Sequence, residues 1–188
     1  MKLDELLKIK SIRGKLVAMP TDTVYGVGCL LDDEESINKI YALKNRDYNK
    51  PLAILVASLE DVLALVEYLP VDAVELIKKH WPGALTIICK KSNIVPPFLN
   101  RGFKTIGLRM PNSKTALEIL KKFGPMAVTS INESGSEALN DYELINSIYG
   151  DKIDYIIESN ESSSNISSTV IEINDEEVKV IRQGGIII

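Results

Sequence analysis

Short apolar runs alternate with amphipathic segments along most of the chain. Short runs rich in Val, Ile and Leu are typical of buried strands, whereas apolar positions three and four apart are typical of one-sided helices. We therefore predict strands at 16–19, 24–31, 52–57, 84–89, 106–110, 126–131 and 155–157. We predict helices at 3–10, 33–43, 59–67, 71–79, 113–122 and 142–148, and a final hairpin turning at Asn174-Asp175. Strands interleaved with helices indicate an α/β fold, and the hairpin favours a mixed sheet.

The composition is that of an ordinary globular domain. Of 188 residues, 45% are hydrophobic and 26% charged, and we expect one domain over 1–188. The charged N-terminus does not resemble a signal peptide, and no apolar stretch approaches the ~20 residues that span a bilayer. The two cysteines, Cys29 and Cys89, cannot form a disulfide framework and favour a reducing compartment. We therefore expect a cytoplasmic protein without a membrane partner.

The net charge of -4 argues against electrostatic capture of nucleic acid over a broad surface, so we expect at most weak tRNA binding. Polar residues nevertheless gather at the ends of predicted strands, where ligands bind in open α/β sheets. The segments are PTDTVYG (20–26), KNRDYNKPL (44–52), GLRMP (107–111), SINESG (130–135), SSTV (167–170) and RQGG (182–185). A plain turn, a helix-dipole partner or a strand edge would also explain each of them separately. An arginine at 109, near the end of an apolar strand, requires an anion.

Other classes of site have little support in the residues. There is no GxxxxGK[ST] or GxGxxG motif. The single histidine, His80, argues against a metal cluster and against a Ser-His-Asp triad elsewhere in the chain. We interpret Trp81-Pro82-Gly83 as a helix stop with a packed indole, and we assign His80 no catalytic role. The tract at 158–168, rich in Ser and Asn, is typical of a solvated loop, and a lid over a ligand is the alternative.

Taken in order, these segments, together with WPGALT (81–86), resemble the YrdC/Sua5 family of threonylcarbamoyl-AMP synthases. The resemblance runs from residue 20 to 185. It implies a YrdC-like twisted mixed β-sheet with flanking helices around a deep basic cavity, in the form without an additional C-terminal domain. Ile131 stands where the family usually has Ala, and we expect its larger side chain to narrow the adenine side.

The resemblance also implies a reaction. L-Threonine, bicarbonate or CO2, and ATP would give threonylcarbamoyl-AMP and diphosphate, for modification of adenosine 37 in tRNA. This is nucleotidyl transfer, with Mg²⁺ carried by ATP, no metal site in the protein, and other proteins receiving the product. No protein nucleophile is required, so positioning and charge neutralisation dominate.

The family's functional positions fall on ten residues of this chain. Lys44 and Arg46 are the expected catalytic residues. Those expected to bind ATP are Lys44, Arg46, Lys50, Thr105, Ser130, Asn132 and Arg182. Those expected to bind threonine are Thr23, Arg109 and Ser168, with Arg109 on the substrate carboxylate.

Two other functions stay open at this point. One is an RNA-binding module, for tRNA or double-stranded RNA, that uses the cavity without chemistry. The other is a carbamoyl-transfer domain like that of hydrogenase-maturation proteins.

Overall fold

Nine strands and six helices follow one another in the computed structural model, which describes residues 1–132, 136–174 and 177–188. The strands are β1 (Val17–Met19), β2 (Gly26–Leu30), β3 (Ala53–Leu55), β4 (Leu85–Lys90), β5 (Thr105–Arg109), β6 (Met126–Ser130), β7 (Tyr155–Ile156), β8 (Thr169–Ile173) and β9 (Val178–Arg182). The helices are α1 (Leu3–Leu6), α2 (Glu34–Leu43), α3 (Leu59–Leu65), α4 (Val71–His80), α5 (Lys114–Phe123) and α6 (Tyr142–Tyr149).

Polar side chains cap four of these helices at their N-termini. The side chains of Asp33, Ser58, Ser113 and Asp141 each accept a hydrogen bond from a backbone N–H in the first turn of α2, α3, α5 and α6 respectively. Such caps stabilise a helix by roughly 1 kcal/mol each and fix where it starts.

All nine strands form one mixed sheet in the order β7-β1-β2-β6-β3-β5-β4-β8-β9. Three neighbouring pairs are parallel, β1 with β7, β3 with β5 and β4 with β8, and the others are antiparallel. The predicted α/β class, the mixed sheet and the flanking helices are therefore confirmed.

The two faces of the sheet are covered differently because side chains alternate along each strand. One face packs against α2, α3, α4 and α6, with Val27, Ile54 and Leu108 in the core. The other face is covered by α1 and α5 at one end only, where Val17, Met126 and Leu55 contact them. The uncovered part of this second face becomes the floor of a cavity.

The predicted end of the first helix is wrong by four residues, and the predicted start of β2 by two. The first helix ends at Leu6 rather than at 10, because the chain tightens into turns in which the Lys8 and Ile9 N–H groups donate to Glu5 and Leu6 oxygens. β2 begins at Gly26 rather than at 24, because the Val24 and Tyr25 N–H groups donate to side chains and not to a neighbouring strand.

The predicted helix stop before Trp81 and the predicted terminal hairpin are confirmed. α4 stops at His80, and the Trp81 indole packs on the core and donates to the Leu85 carbonyl at 2.7 Å. β8 and β9 form the expected terminal hairpin, although Asp175 lies outside the described residues. Within the described ranges, no helix has the length and hydropathy needed to cross a bilayer.

Candidate functional site

A cavity of about 640 Å³ lies over the uncovered part of the sheet. A row of paired positions crosses its floor from β6 to β8: Val128, Ala53, Gly107, Ile88 and Glu172. Small side chains in the middle of this row keep the floor low, so that a flat ligand could lie against the backbone. Hydroxyl and cationic side chains surround the floor.

Arg109 closes one end of the cavity, and its guanidinium is held from three directions. It donates from Nη1 to the Thr23 hydroxyl at 2.7 Å, from Nη2 to the Asp22 carboxylate at 2.5 Å, and from Nε to the Gly83 carbonyl at 3.0 Å. Burial lowers the pKa of Arg109, and the Asp22 charge opposes that shift. The anion that the sequence required at 109 is therefore supplied by the chain itself.

Three of the five guanidinium N–H groups of Arg109 are used by these contacts within the described chain. The Thr23 hydroxyl lies 3.0 Å from that of Thr21, which donates to the Val24 carbonyl at 2.7 Å. The turn between β1 and β2 thus presents two hydroxyls beside a fixed guanidinium. Such an arrangement suits a small ligand that carries a carboxylate.

A second polar cluster joins β4, β8 and β9. The Ser168 and Thr86 hydroxyls are 2.8 Å apart, and Arg182 donates to the Ser168 carbonyl at 2.8 Å and to its hydroxyl at 3.1 Å. Burial lowers the pKa of Arg182. These bonds hold the Ser168 hydroxyl at the cavity wall in one orientation.

The glycine after Arg182 and Gln183 is required by close packing. A Cβ on Gly184 would lie 2.1 Å from the Ser167 carbonyl oxygen and 2.5 Å from the Thr169 nitrogen, so only glycine fits there. The Thr169 hydroxyl accepts from the Gly184 and Ile186 N–H groups. The RQGG segment therefore fixes the end of β9, and with it Arg182, against β8.

Arg46 and Lys50 line the opposite side of the cavity, on the loop between α2 and β3. Arg46 donates to the Lys50 and Pro51 carbonyls at 3.0 Å each, and the Asp47 carboxylate accepts from the Asn49 N–H at 2.8 Å. Burial lowers the pKa of Arg46. The loop is thus folded on itself so that two cations face one cavity wall.

Lys44 does not reach the cavity surface. Its ammonium donates to the Ser130 carbonyl, to the Asn132 carbonyl at 2.8 Å and to the Asn132 side-chain oxygen at 2.6 Å. Burial, with a smaller contribution from Arg46, lowers the pKa of Lys44 to about 8. All three ammonium donors are used, so Lys44 holds the loop that follows β6.

The same loop places Ser130 and Asn132. The Ser130 hydroxyl donates to the Asn132 side-chain oxygen at 2.7 Å and lines the cavity, whereas Asn132 does not. Ile131 is 1% exposed and packs in the main core, so the expectation that it narrows the adenine side is wrong. The remaining residues of the motif, Glu133, Ser134 and Gly135, lie outside the described residues.

The Ser- and Asn-rich tract has no regular structure from 158 to 168, as expected, but it is tied to the site. The Ser164 and Asn165 N–H groups donate to the Asp22 and Thr23 carbonyls at 3.0 Å each. Glu161 accepts from the backbone N–H of Thr115 at 2.8 Å and from its hydroxyl at 2.5 Å. The tract thus braces the turn that carries Thr23, and its predicted role as a lid stays a prediction.

The structure brings eight of the ten expected site residues to one cavity. These are Thr23, Arg46, Lys50, Thr105, Arg109, Ser130, Ser168 and Arg182. Direct contact of Lys44 and Asn132 with ATP stays a prediction, since both side chains are engaged with each other beside the cavity.

Several lining residues were not expected as site residues, among them Thr86, Asn49 and Glu172. Alternation along a strand could have found Glu172, because it is two residues from Val170 and four from Ser168 on the same face. Within the described part of the chain, no cluster of three or more His, Cys, Asp or Glu residues could hold a metal ion.

Comparison with known proteins gives consistent results. The Sua5/YciO/YrdC family model, described as "Telomere recombination", matches residues 11–184. The chain is 37% identical over 175 residues to the threonylcarbamoyl-AMP synthase of Pyrococcus abyssi, covering 92% of this chain and 51% of that protein. It is 31% identical to the threonylcarbamoyl-AMP synthase of Vibrio campbellii, covering 91% of this chain and 93% of that one.

A solved structure has the same fold. The crystal structure of Pyrococcus abyssi Sua5 complexed with L-threonine superposes with a TM-score of 0.86 at 36% identity. The match covers 92% of this chain and 51% of that one, so this chain spans about half the length of the Pyrococcus protein.

Proposed function

The chain belongs to the Sua5/YciO/YrdC family, and on that premise we propose that it is a threonylcarbamoyl-AMP synthase. It joins L-threonine, bicarbonate or CO2, and ATP into threonylcarbamoyl-AMP and diphosphate, for the threonylcarbamoylation of adenosine 37 in tRNA. One observation carries the proposal: the cavity gathers residues that are far apart in sequence into two separate anion-binding ends, at Arg109 and at Arg46 with Lys50.

The threonine end is the turn that carries Thr23. The substrate carboxylate accepts from the free N–H groups of Arg109, which Asp22 keeps fixed in orientation. The hydroxyls of Thr23 and Ser168 bind the polar groups of the same amino acid. The amine is thereby directed toward the cavity interior.

Chemistry then needs two steps. The threonine ammonium first loses a proton to solvent. The neutral amine then attacks the carbon of CO2, a C–N bond forms as the electrons of one C=O π bond move to oxygen, and a second N–H proton is lost to solvent, leaving a carbamate. A carbamate oxygen attacks the α-phosphorus of ATP, the bond from that phosphorus to the bridging oxygen breaks, and diphosphate leaves with the electron pair. No covalent bond to the protein forms in either step.

The protein's contribution is positioning and charge neutralisation. Arg46 and Lys50 face the triphosphate, and their N–H groups neutralise charge on the leaving diphosphate. Lys44 acts indirectly, by holding the Ser130–Asn132 loop beside the cavity. Thr105 and Arg182 also contact ATP. Mg²⁺ enters as part of the substrate, bound to the phosphate oxygens, and other proteins take up the labile product.

The test is release of diphosphate from ATP in the presence of Mg²⁺. We expect release only when L-threonine and bicarbonate are both present, and an acid-labile adenylate as the second product. Arg46→Ala should reduce kcat/KM by about 10–100-fold, since one charged hydrogen bond contributes about 1.5–3 kcal/mol. Arg13→Ala, which breaks an exposed ion pair with Asp32 away from the cavity, is the matched control. ATP left intact with both co-substrates present would reject the proposal.

A further inference from the structure

Glu172 is an acidic residue in a cavity built for anions. Of the polar residues that line the cavity in the described chain, it is the one carboxylate, among hydroxyls, amides and cations. No hydrogen bond or ion pair from another described residue reaches its carboxylate. A carboxylate in this position repels phosphate, so a nucleotide bound here would place hydrogen-bond donors rather than phosphate beside it.

The surroundings of Glu172 differ from those of the cationic wall. It pairs across the sheet with Ile88, and Val170 and Ile181 line the same end of the cavity. Beyond it lies a side cavity of about 240 Å³, which Lys90 and Lys104 also line. The β8–β9 end therefore combines apolar side chains with the Ser168 hydroxyl, the Arg182 guanidinium and the Glu172 carboxylate.

Distance separates this acceptor from the phosphate-binding cations. Glu172 on β8 lies three strands from Ala53 on β3, or about 14 Å at ~4.8 Å per strand. Arg46 and Lys50 precede β3 on the far side.

ATP can span the distance from Arg46 and Lys50 to Glu172 in one orientation. Its triphosphate faces Arg46 and Lys50, and its flat base lies against the apolar side chains of β8 and β9. The ribose joins the two and carries two adjacent hydroxyl donors, which match the two oxygens of one carboxylate.

We propose that Glu172 accepts a hydrogen bond from a ribose hydroxyl of ATP, and so makes this cavity selective for ribonucleotides over deoxyribonucleotides. The inference rests on the proposed function, because it takes ATP as the ligand. It assigns to Glu172 a role in substrate specificity that the anion-binding residues cannot supply.

The experiment is a cycle in which the protein and the nucleotide are changed separately and together. Diphosphate release is measured for the wild type, Glu172→Ala and Glu172→Gln with ATP, 2′-deoxy-ATP, 3′-deoxy-ATP and ITP. We expect Glu172→Ala to reduce kcat/KM for ATP by about 10–100-fold, mainly through KM, with Glu172→Gln between it and the wild type. For one deoxynucleotide the wild type and Glu172→Ala should agree within about twofold, because the contact is already missing.

Other outcomes overturn the proposal. If the losses from Glu172→Ala and from each deoxy analogue multiply independently, no contact with ribose exists. If the effect of the substitution vanishes with ITP instead, the carboxylate reads the base. If added Mg²⁺ restores Glu172→Ala, it serves the metal.

Glu177→Ala is the matched control, because Glu177 is exposed on the same hairpin and does not line the cavity. Thermal melting of each variant checks that the hairpin still folds. The proposed function fails separately, if the wild type releases no diphosphate with threonine and bicarbonate. In that case the same cycle is run by calorimetric titration with ATP and the two deoxynucleotides, which requires no turnover.

Discussion

One face of the sheet has two halves. Helices α1 and α5 cover one half, and the other half is the open floor of the cavity, although side chains alternate along the strands in the same way in both. Under α1 and α5 the strands present Val17, Leu55 and Met126, all of them 4% exposed or less, and the helices cover them. On β5, β4 and β8 glycine, hydroxyl and charged side chains interrupt the apolar ones, and the face stays open. Burial of apolar area stabilises a covering helix by roughly 25 cal/mol per Å², and in the open half polar and charged side chains divide that area. The choice of side chain therefore decides where the molecule packs and where it binds.

The open half must therefore be held in place by contacts other than packing against a helix. Ion pairs and hydrogen bonds replace apolar packing there, through the contacts of Arg109 with Asp22 and of Arg182 with Ser168. Substitutions in the covered half should accordingly change stability, and substitutions in the open half should change activity, except where one contact serves both.

The largest effect is expected at that exception. Arg109→Met leaves the Asp22 carboxylate partly buried without its cation, which should lower the free energy of unfolding by about 3–5 kcal/mol. Activity should fall by at least 100-fold, on the order of two charged hydrogen bonds. Chemical denaturation and diphosphate release measure the two losses.

The double variant Asp22→Asn/Arg109→Met is the control, because it removes both charges. It should regain most of the stability and none of the activity. A single variant as stable as the wild type would show that the ion pair does not hold the turn.

A smaller effect, on stability alone, is expected in the covered half. Ile119 on α5 is fully buried in the hydrophobic core between α1, α5 and the sheet. Ile119→Ala should lower the free energy of unfolding by about 2–4 kcal/mol, through lost burial and the cavity left behind. Urea denaturation measures that loss. We expect kcat and the KM values for ATP and L-threonine to stay within about twofold of the wild type. A large change in kcat would mean that the two halves are coupled.

The smallest effect is a pH dependence in the loop that Lys44 holds. Because burial lowers the pKa of Lys44 to about 8, its ammonium becomes an amine between pH 7 and 9. The amine has two donors for three acceptors, so one hydrogen bond to the Ser130–Asn132 loop is lost on raising the pH. We expect KM for ATP to rise about 2–10-fold over this range, the scale of one such bond.

Steady-state kinetics of the wild type and Lys44→Met across pH 7–9 test this effect. The variant has no titrating group at this position, so its KM for ATP should be high at pH 7 and nearly constant. A variant that keeps the full pH dependence would assign the titration to another group.

Much of the fold could be predicted from the sequence because the strands are apolar and alternation is local. The runs at 52–57 and 126–131 needed no knowledge of the rest of the chain. The resemblance to a family then named ten site residues, and eight of them line one cavity.

What could not be predicted depends on contacts between distant parts of the chain. Lys44 and Arg46 are two residues apart in one basic segment, yet Lys44 turns to a loop that is 86 residues away in sequence. Arg109 needed an anion, and nothing local indicated that Asp22 would provide it. Nothing in the sequence assigns Glu172 to the site, because its position in the cavity depends on which face of β8 is open.

The bracing of the site by the Ser- and Asn-rich tract has a practical consequence. The bonds from Ser164 and Asn165 use main-chain N–H groups, so proline at either position would remove a bond to the turn. Asn165 is constrained further, because its φ is 58° and its side-chain oxygen accepts from Asn140 and Ser163. Both native cysteines are buried, and burial raises the pKa of Cys29 to about 12 and that of Cys89 to about 11, which makes them poor nucleophiles. A cysteine placed at the exposed Ser162 would thus react selectively with a maleimide dye, giving a fluorescent reporter near the turn that carries Thr23 without removal of any native residue from the core.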